Sequence, residues 1–113
     1  MLSEPGLVQV FQAEWCPFSA RVRERLNELD LPFVALPVPV AKKERTVMQE
    51  RTGTRTIPAV ILPDGTVLAG DAAEIIAGLD ERFPEPPSAQ AHRDALAAHP
   101  LGRTIGCEPS DPG

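Results

Sequence analysis

The amino-acid sequence predicts an α/β domain in which helices cover one small mixed β-sheet. Three observations lead there. Apolar residues alternate along the chain between short strand-like runs and helical spacing, a Pro63-Asp64-Gly65 turn separates two apolar segments, and an Asp71/Glu74 pair opens an apolar helical stripe. Alternating strands and helices produce parallel pairing and the turn adds an antiparallel hairpin, so both kinds of pairing meet in one sheet.

Residues 7–12, Leu-Val-Gln-Val-Phe-Gln, are rich in β-branched and aromatic side chains and run into a turn-like stretch, which predicts a first, buried strand. From Pro17 the spacing turns helical: Val22, Leu26 and Leu29 share a face, with Arg21, Arg23, Glu24, Arg25 and Glu28 between them. Asp30-Leu31-Pro32 ends that helix, because a residue before proline is pushed out of the α region. Residues 33–38 form the second strand. Pro37 and Pro39 cannot donate to a ladder, so this strand lies at an edge or stops near Leu36.

Residues 42–51 are mostly charged, with Val47 and Met48 as their apolar contribution, and Gly53 suits the left-handed position that ends a helix. A short, partly exposed second helix is expected. Ala59-Val60-Ile61-Leu62 and Thr66-Val67-Leu68 flank the turn and form a hairpin. Asp71 and Glu74 match a capping box, after which Ala72, Ile75, Ile76, Leu79 and Phe83 line one face of a third helix. Beyond it Pro84, Pro86, Pro87, Pro100, Pro109 and Pro112 mark residues 85–113 as an extension, expected to be poorly ordered apart from a short helix that the spacing allows over residues 88–98. The order is βαβαββα, with residues 1–84 as the folded domain.

Composition narrows the function. A chain of 113 residues with 42% hydrophobic content suits one core. The formal charge of -5 is the wrong sign for a phosphate-attracting field, so nucleic acid is not an expected partner. The start has no basic region followed by an apolar run, and Pro37 and Pro39 interrupt the longest apolar candidate, so neither a secretory signal nor a membrane span is expected. Two cysteines far apart, Cys16 and Cys107, are not a disulfide framework, which suits a reducing cytoplasm. With only His92 and His99 beside them, they give no zinc-type ligand spacing, and no metal site is expected.

Cys16 stands immediately before Pro17 and the first helical turn, where unpaired backbone N–H groups and the helix dipole favour negative charge. The thiolate is the nucleophilic form, so the position suits disulfide exchange. Ser19 lies three residues on, where its hydroxyl is placed to donate to the sulfur, but it cannot form a disulfide. Resolution must then come from an external thiol or from Cys107, which makes the expected chemistry monothiol. The same pattern also suits an inert, buried cysteine at a helix start. Cys107, in Gly106-Cys107-Glu108-Pro109, reads as an incidental tail thiol.

Trp15-Cys16-Pro17-Phe18-Ser19 resembles the active-site motif of glutaredoxins and of the N-terminal domain of cysteine-type glutathione transferases. The stretch from Arg51 to Pro58, ending Thr56-Ile57-Pro58, is similar to the glutaredoxin segment ending Thr-Val-Pro, and Gly70-Asp71 falls where that family carries its Gly-Asp region. The last helix, ending Leu79-Asp80-Glu81-Arg82-Phe83-Pro84, looks like that of a transferase N-terminal domain. This resemblance, over residues 7–84, implies a thioredoxin-like fold of glutaredoxin type, with a four-stranded mixed sheet flanked by three helices. It implies Cys16 as nucleophile with Ser19 beside it, and Pro58 as a cis-proline. It also implies a glutathione groove of Pro17, Phe18, Ile57 and Pro58, with Arg51 or Arg55 on a carboxylate and Gly70 and Asp71 near the γ-glutamyl end.

The activity expected is thiol–disulfide oxidoreduction on glutathione mixed disulfides by a monomer, with glutathione as cosubstrate and glutathionylated or disulfide substrates as partners. Two alternatives stay open. One is a 2Fe-2S cluster carrier holding its cluster through Cys16 and glutathione, not favoured because such carriers have Gly where this chain has Pro17. The other is a non-catalytic binding module on the same scaffold.

Overall fold

A computed structural model describes residues 6–99. The chain runs β1 (Val8–Gln12), α1 (Pro17–Glu28), β2 (Phe33–Pro37), one 3-10 turn (Lys42–Glu44), α2 (Thr46–Thr52), β3 (Ala59–Ile61), β4 (Val67–Leu68), α3 (Ala72–Arg82) and α4 (Ala89–Ala98). The four strands make one sheet in the order β2-β1-β3-β4. β1 pairs parallel with β2 and antiparallel with β3, and β3 pairs antiparallel with β4.

The period-2 alternation of strand side chains builds two cores, one on each face. Val8, Val10, Val60 and Leu62 meet Val22, Leu26 and Leu29 of the first helical segment and Ala72, Ile75 and Leu79 of α3. Phe11, Ala59 and Ile61 cluster with Met48 of α2. β2 lies at the sheet edge, which is where Pro37 and Pro39 can be accommodated.

Local chemistry sets the ends. α1 closes at Leu29, and Asp30 takes a left-handed conformation (φ 57°) that aspartate tolerates better than most residues. Gly53 caps α2 at φ 82°. The Asp71 side chain accepts from the Glu74 N–H while the Glu74 side chain accepts from the Asp71 N–H, a complete capping box. The charged stretch expected as one helix is broken at Arg45, whose backbone (φ -85°, ψ 55°) is not helical. The cause is the side chain: Arg45 turns inward and is buried, so the turn before it and α2 after it are separate.

Beside the three helices around the sheet, the short helix that the spacing allowed over residues 88–98 is α4. Composition reads the segment after Phe83 as an extension, yet up to His99 it is tied to α1. Arg25 bonds Glu85 (2.8 Å), Glu28 (2.6 Å) and Asp80 of α3 (2.9 Å), and Arg93 of α4 bonds Glu85 (3.0 Å). Ser88 donates to Asp30 (2.7 Å), with His92 also against that carboxylate. Prolines break helices but do not prevent charged side chains from docking the helix that follows.

Arg93 and then Arg25 hold the Glu85 carboxyl at about 2, below its ordinary 4.5. A carboxyl lowered by folding contributes stability that is complete above its unfolded value and is lost as pH falls through the folded one. Docking of α4 is therefore expected to weaken as pH falls from about 4.5 toward 2, seen as a pH-dependent movement of the amide NMR shifts of residues 89–98 while those of β1 hold. Glu85→Gln should reduce that dependence, the remainder coming from Asp30, whose carboxyl Ser88 and His92 hold below its ordinary range.

Candidate active site

The register brings four separated segments to one end of the sheet. Phe11 pairs with Ala59, so Pro58 and Ile57 lie beside the point where β1 ends, and four residues later the chain reaches Cys16. β4 returns antiparallel to β3, which carries Gly70 and Asp71 back to that same end. The Ile57–Pro58 peptide bond is cis.

Cys16 is the N-cap of α1, with an extended backbone (φ -88°, ψ 118°) and Pro17 at the first helical position. Its Sγ accepts the backbone N–H of Ser19 at 3.5 Å, using one of the amides that a helix start leaves without a partner. The Ser19 hydroxyl, expected on the sulfur, instead accepts the Ala13 N–H (3.4 Å) and is wholly buried. Ser19 therefore joins the approach loop to α1, and its backbone rather than its side chain touches the thiol. Cys16 is only 6% exposed, while Trp15 (63%) before it and Phe18 (54%) after it in the chain are exposed. Cys107 lies outside the described residues.

Beneath the loop, Gln12 is buried and accepts from Arg23 of α1, whose guanidinium also reaches Glu14 (3.6 Å). That pair partly neutralises the acidic residue nearest Cys16 in sequence.

The predicted arginines are placed differently. Arg51 donates to Gln9 (2.6 Å) and lies over the Phe11 ring (5.4 Å to its centroid). Gln9 is opposite Ile61 and Phe11 opposite Ala59, so Arg51 lies along β1 on the face that Phe11 occupies. Arg55 stays near Ile57 in the chain and donates to the Lys43 carbonyl (2.9 Å). Gly70 has φ +115°, and a Cβ there would collide with the Glu74 carboxylate that completes the capping box. Glycine at 70 and the cap at Asp71 are thus one structural unit, with one oxygen of the Asp71 carboxylate accepting from its own helix.

Sequence reasoning missed Arg45 and Gln12. Arg45 is 6% exposed and donates to the carbonyls of Pro39 (2.8 Å), Arg55 (3.0 Å) and Val40 (3.1 Å). Within Lys42-Lys43-Glu44-Arg45 nothing distinguishes the buried cation from its solvated neighbours.

A cysteine capping the first helix and a cis-proline at the same end of a β2-β1-β3-β4 sheet define a thioredoxin-like domain with a thiol site. Residues 10–87 match the family "Glutathione S-transferase, N-terminal domain", and the chain belongs to that family. Three solved structures show the same fold. A glutathione transferase homologue from Sulfitobacter, with bound glutathione, is 19% identical with a TM-score of 0.59, over 89% of this chain and 51% of that one. A diazinon-metabolizing glutathione S-transferase of the silkworm Bombyx mori is 18% identical with a TM-score of 0.60, over 88% and 50%. Glutathione transferase Omega 3C from Trametes versicolor is 17% identical with a TM-score of 0.61, over 92% and 46%. The chain spans about half the length of these structures. No curated protein matches it. Among the described residues no helix is long and apolar enough to cross a membrane.

Proposed function

We propose that this protein is a monothiol, glutathione-dependent thiol–disulfide oxidoreductase acting on glutathione mixed disulfides through Cys16. The observation that carries the reading is the Cys16 sulfur at the N-cap of α1, accepting a backbone N–H, with serine where a second cysteine would stand. Backbone N–H groups and the helix dipole stabilise negative charge on that sulfur. Among the described residues, Ile57 makes no backbone hydrogen bond outside the strands, so its N–H and C=O are available to an extended peptide such as glutathione.

In the first step the Cys16 thiolate attacks the glutathione sulfur of R–S–S–G. A Cys16–S–S–G bond forms, the S–S bond of the substrate breaks, and R–S⁻ leaves and takes a proton from solvent. In the second step the thiolate of a second glutathione attacks that same glutathione sulfur, forming oxidised glutathione and returning the Cys16 thiolate. The R sulfur is reduced to a thiol and one glutathione thiol is oxidised, the glutathione half of the substrate staying at the disulfide level throughout. A reducing cytoplasm supplies the glutathione this cycle uses, and one chain suffices.

A second reading follows from membership of the transferase family: the Cys16 end binds glutathione for conjugation to an electrophile. Intact mass after oxidised glutathione decides between a reactive and an inert thiol. The expected result is one adduct at Cys16, removed by reduced glutathione, with turnover on a mixed disulfide exceeding conjugation of 1-chloro-2,4-dinitrobenzene. Absence of any adduct at Cys16 would overturn the oxidoreductase reading.

A further inference from the structure

We infer that Arg45 is a positioning residue, holding the backbone at residues 55–57 as the docking edge for the peptide portion of the thiol substrate. The inference rests on the function proposed above and deepens it.

A buried guanidinium is normally paired with a carboxylate, because desolvating the charge is costly. Among the described residues no carboxylate lies within ion-pair distance of Arg45. Its three nitrogens instead go to three backbone carbonyls, at 2.8, 3.0 and 3.1 Å. Two of these, Pro39 and Val40, belong to the loop after β2, and the third, Arg55, lies two residues before Ile57. The planar fork fixes the distance between the loops, as a flexible ammonium would not.

The lacing also runs in the other direction. Arg55 donates from its side chain to the Lys43 carbonyl, next to the turn that carries Arg45. At its far end the same loop is anchored to β1, where the Val38 N–H donates to the Gln12 carbonyl (3.2 Å). A continuous frame thus runs from the end of β1 through residues 38–45 to Arg55, and from there to Ile57 and the cis peptide. Two ends of the substrate-docking segment are therefore fixed: β3 holds one by ladder pairing, and Arg45 holds the other by charge-assisted hydrogen bonds.

An Arg45→Met variant keeps much of the side-chain volume and loses all three bonds. Its edge should wander, so the half-saturating concentration of oxidised glutathione in Cys16 adduct formation should rise by about tenfold, the scale expected for losing charge-assisted bonds. Alkylation of Cys16 by iodoacetamide, which needs no docking edge, should change by less than about twofold, since no contact of Arg45 reaches the thiol. Hydrogen exchange without ligand at Thr56, whose N–H donates to the Thr54 hydroxyl (3.1 Å), should accelerate relative to β1. Arg45→Lys, able to satisfy one carbonyl, should fall between, and serves as the test if the methionine variant does not fold.

Unchanged exchange at Thr56 in a folded variant would overturn the inference, as would a parallel loss of alkylation and adduct formation. If the wild-type protein forms no glutathione adduct, the proposed function fails. The exchange measurement still decides whether Arg45 holds the edge, because it requires no ligand.

Discussion

Cys16→Ser leaves a folded protein that no longer forms a glutathione adduct, with mixed-disulfide turnover falling by at least about a thousandfold, the range seen when a nucleophile is removed. Serine is itself a favoured N-cap, so its hydroxyl can accept the Ser19 N–H that the sulfur accepts now, and α1 should start where it does in the wild type. The hydroxyl does not ionise near neutral pH and cannot join a disulfide, so chemistry and fold are separated by one atom. Far-UV circular dichroism and a melting curve within a few degrees of wild type would establish the fold. Rapid-quench mass analysis would read the adduct. Retention of turnover would transfer the chemistry away from Cys16.

Leu26→Ala should lower stability by a large fraction of the total, on the order of 2–5 kcal/mol. Leu26 has no exposed surface and packs in the cluster where α1 meets the sheet and α3. Truncation removes buried apolar area and leaves a cavity bounded by two helices and β-branched strand residues that cannot close in easily. Urea unfolding should show a lower midpoint with little change in slope. Val47→Ala, 60% exposed on α2, is the control and should stay within about 0.5 kcal/mol. A midpoint for Leu26→Ala as close to wild type as that of the control would mean that α1 does not depend on this packing.

The strand and helix order was legible because each element carries its own local signal. The period of Val8 and Val10 against that of Val22 and Leu26 separates strand from helix, Gly53 and Gly65 sit where positive φ is needed, and Asp71 with Glu74 makes the cap expected of them. The hairpin over Pro63-Asp64-Gly65 keeps strand segments shorter than their apolar runs, β3 ending at Ile61 and β4 holding only Val67–Leu68. Ends are less legible than elements because a ladder stops where its neighbour stops.

The thiol at the start of a helix was legible for the same reason: Cys16-Pro17 is a local pattern. What gathers around it was not. The hydroxyl of Ser19 was expected on the sulfur, but it accepts the Ala13 N–H, brought close by the bend after β1, and the sulfur takes the Ser19 N–H. Arg51 belongs to Gln9 and Phe11 because α2 lies across the sheet face that Phe11 occupies, a fact of packing rather than of spacing.

By itself the sequence determined the order of elements, the ends set by proline, glycine and the capping box, and the cysteine at the start of α1, since each depends on neighbours a few positions away. Only the tertiary structure decided which charges leave solvent. Arg45 is buried among distant carbonyls, and Arg25, Glu85 and Arg93 bind α4 to α1 across long stretches of chain, because the partner that satisfies a charge is chosen by how the chain folds back on itself.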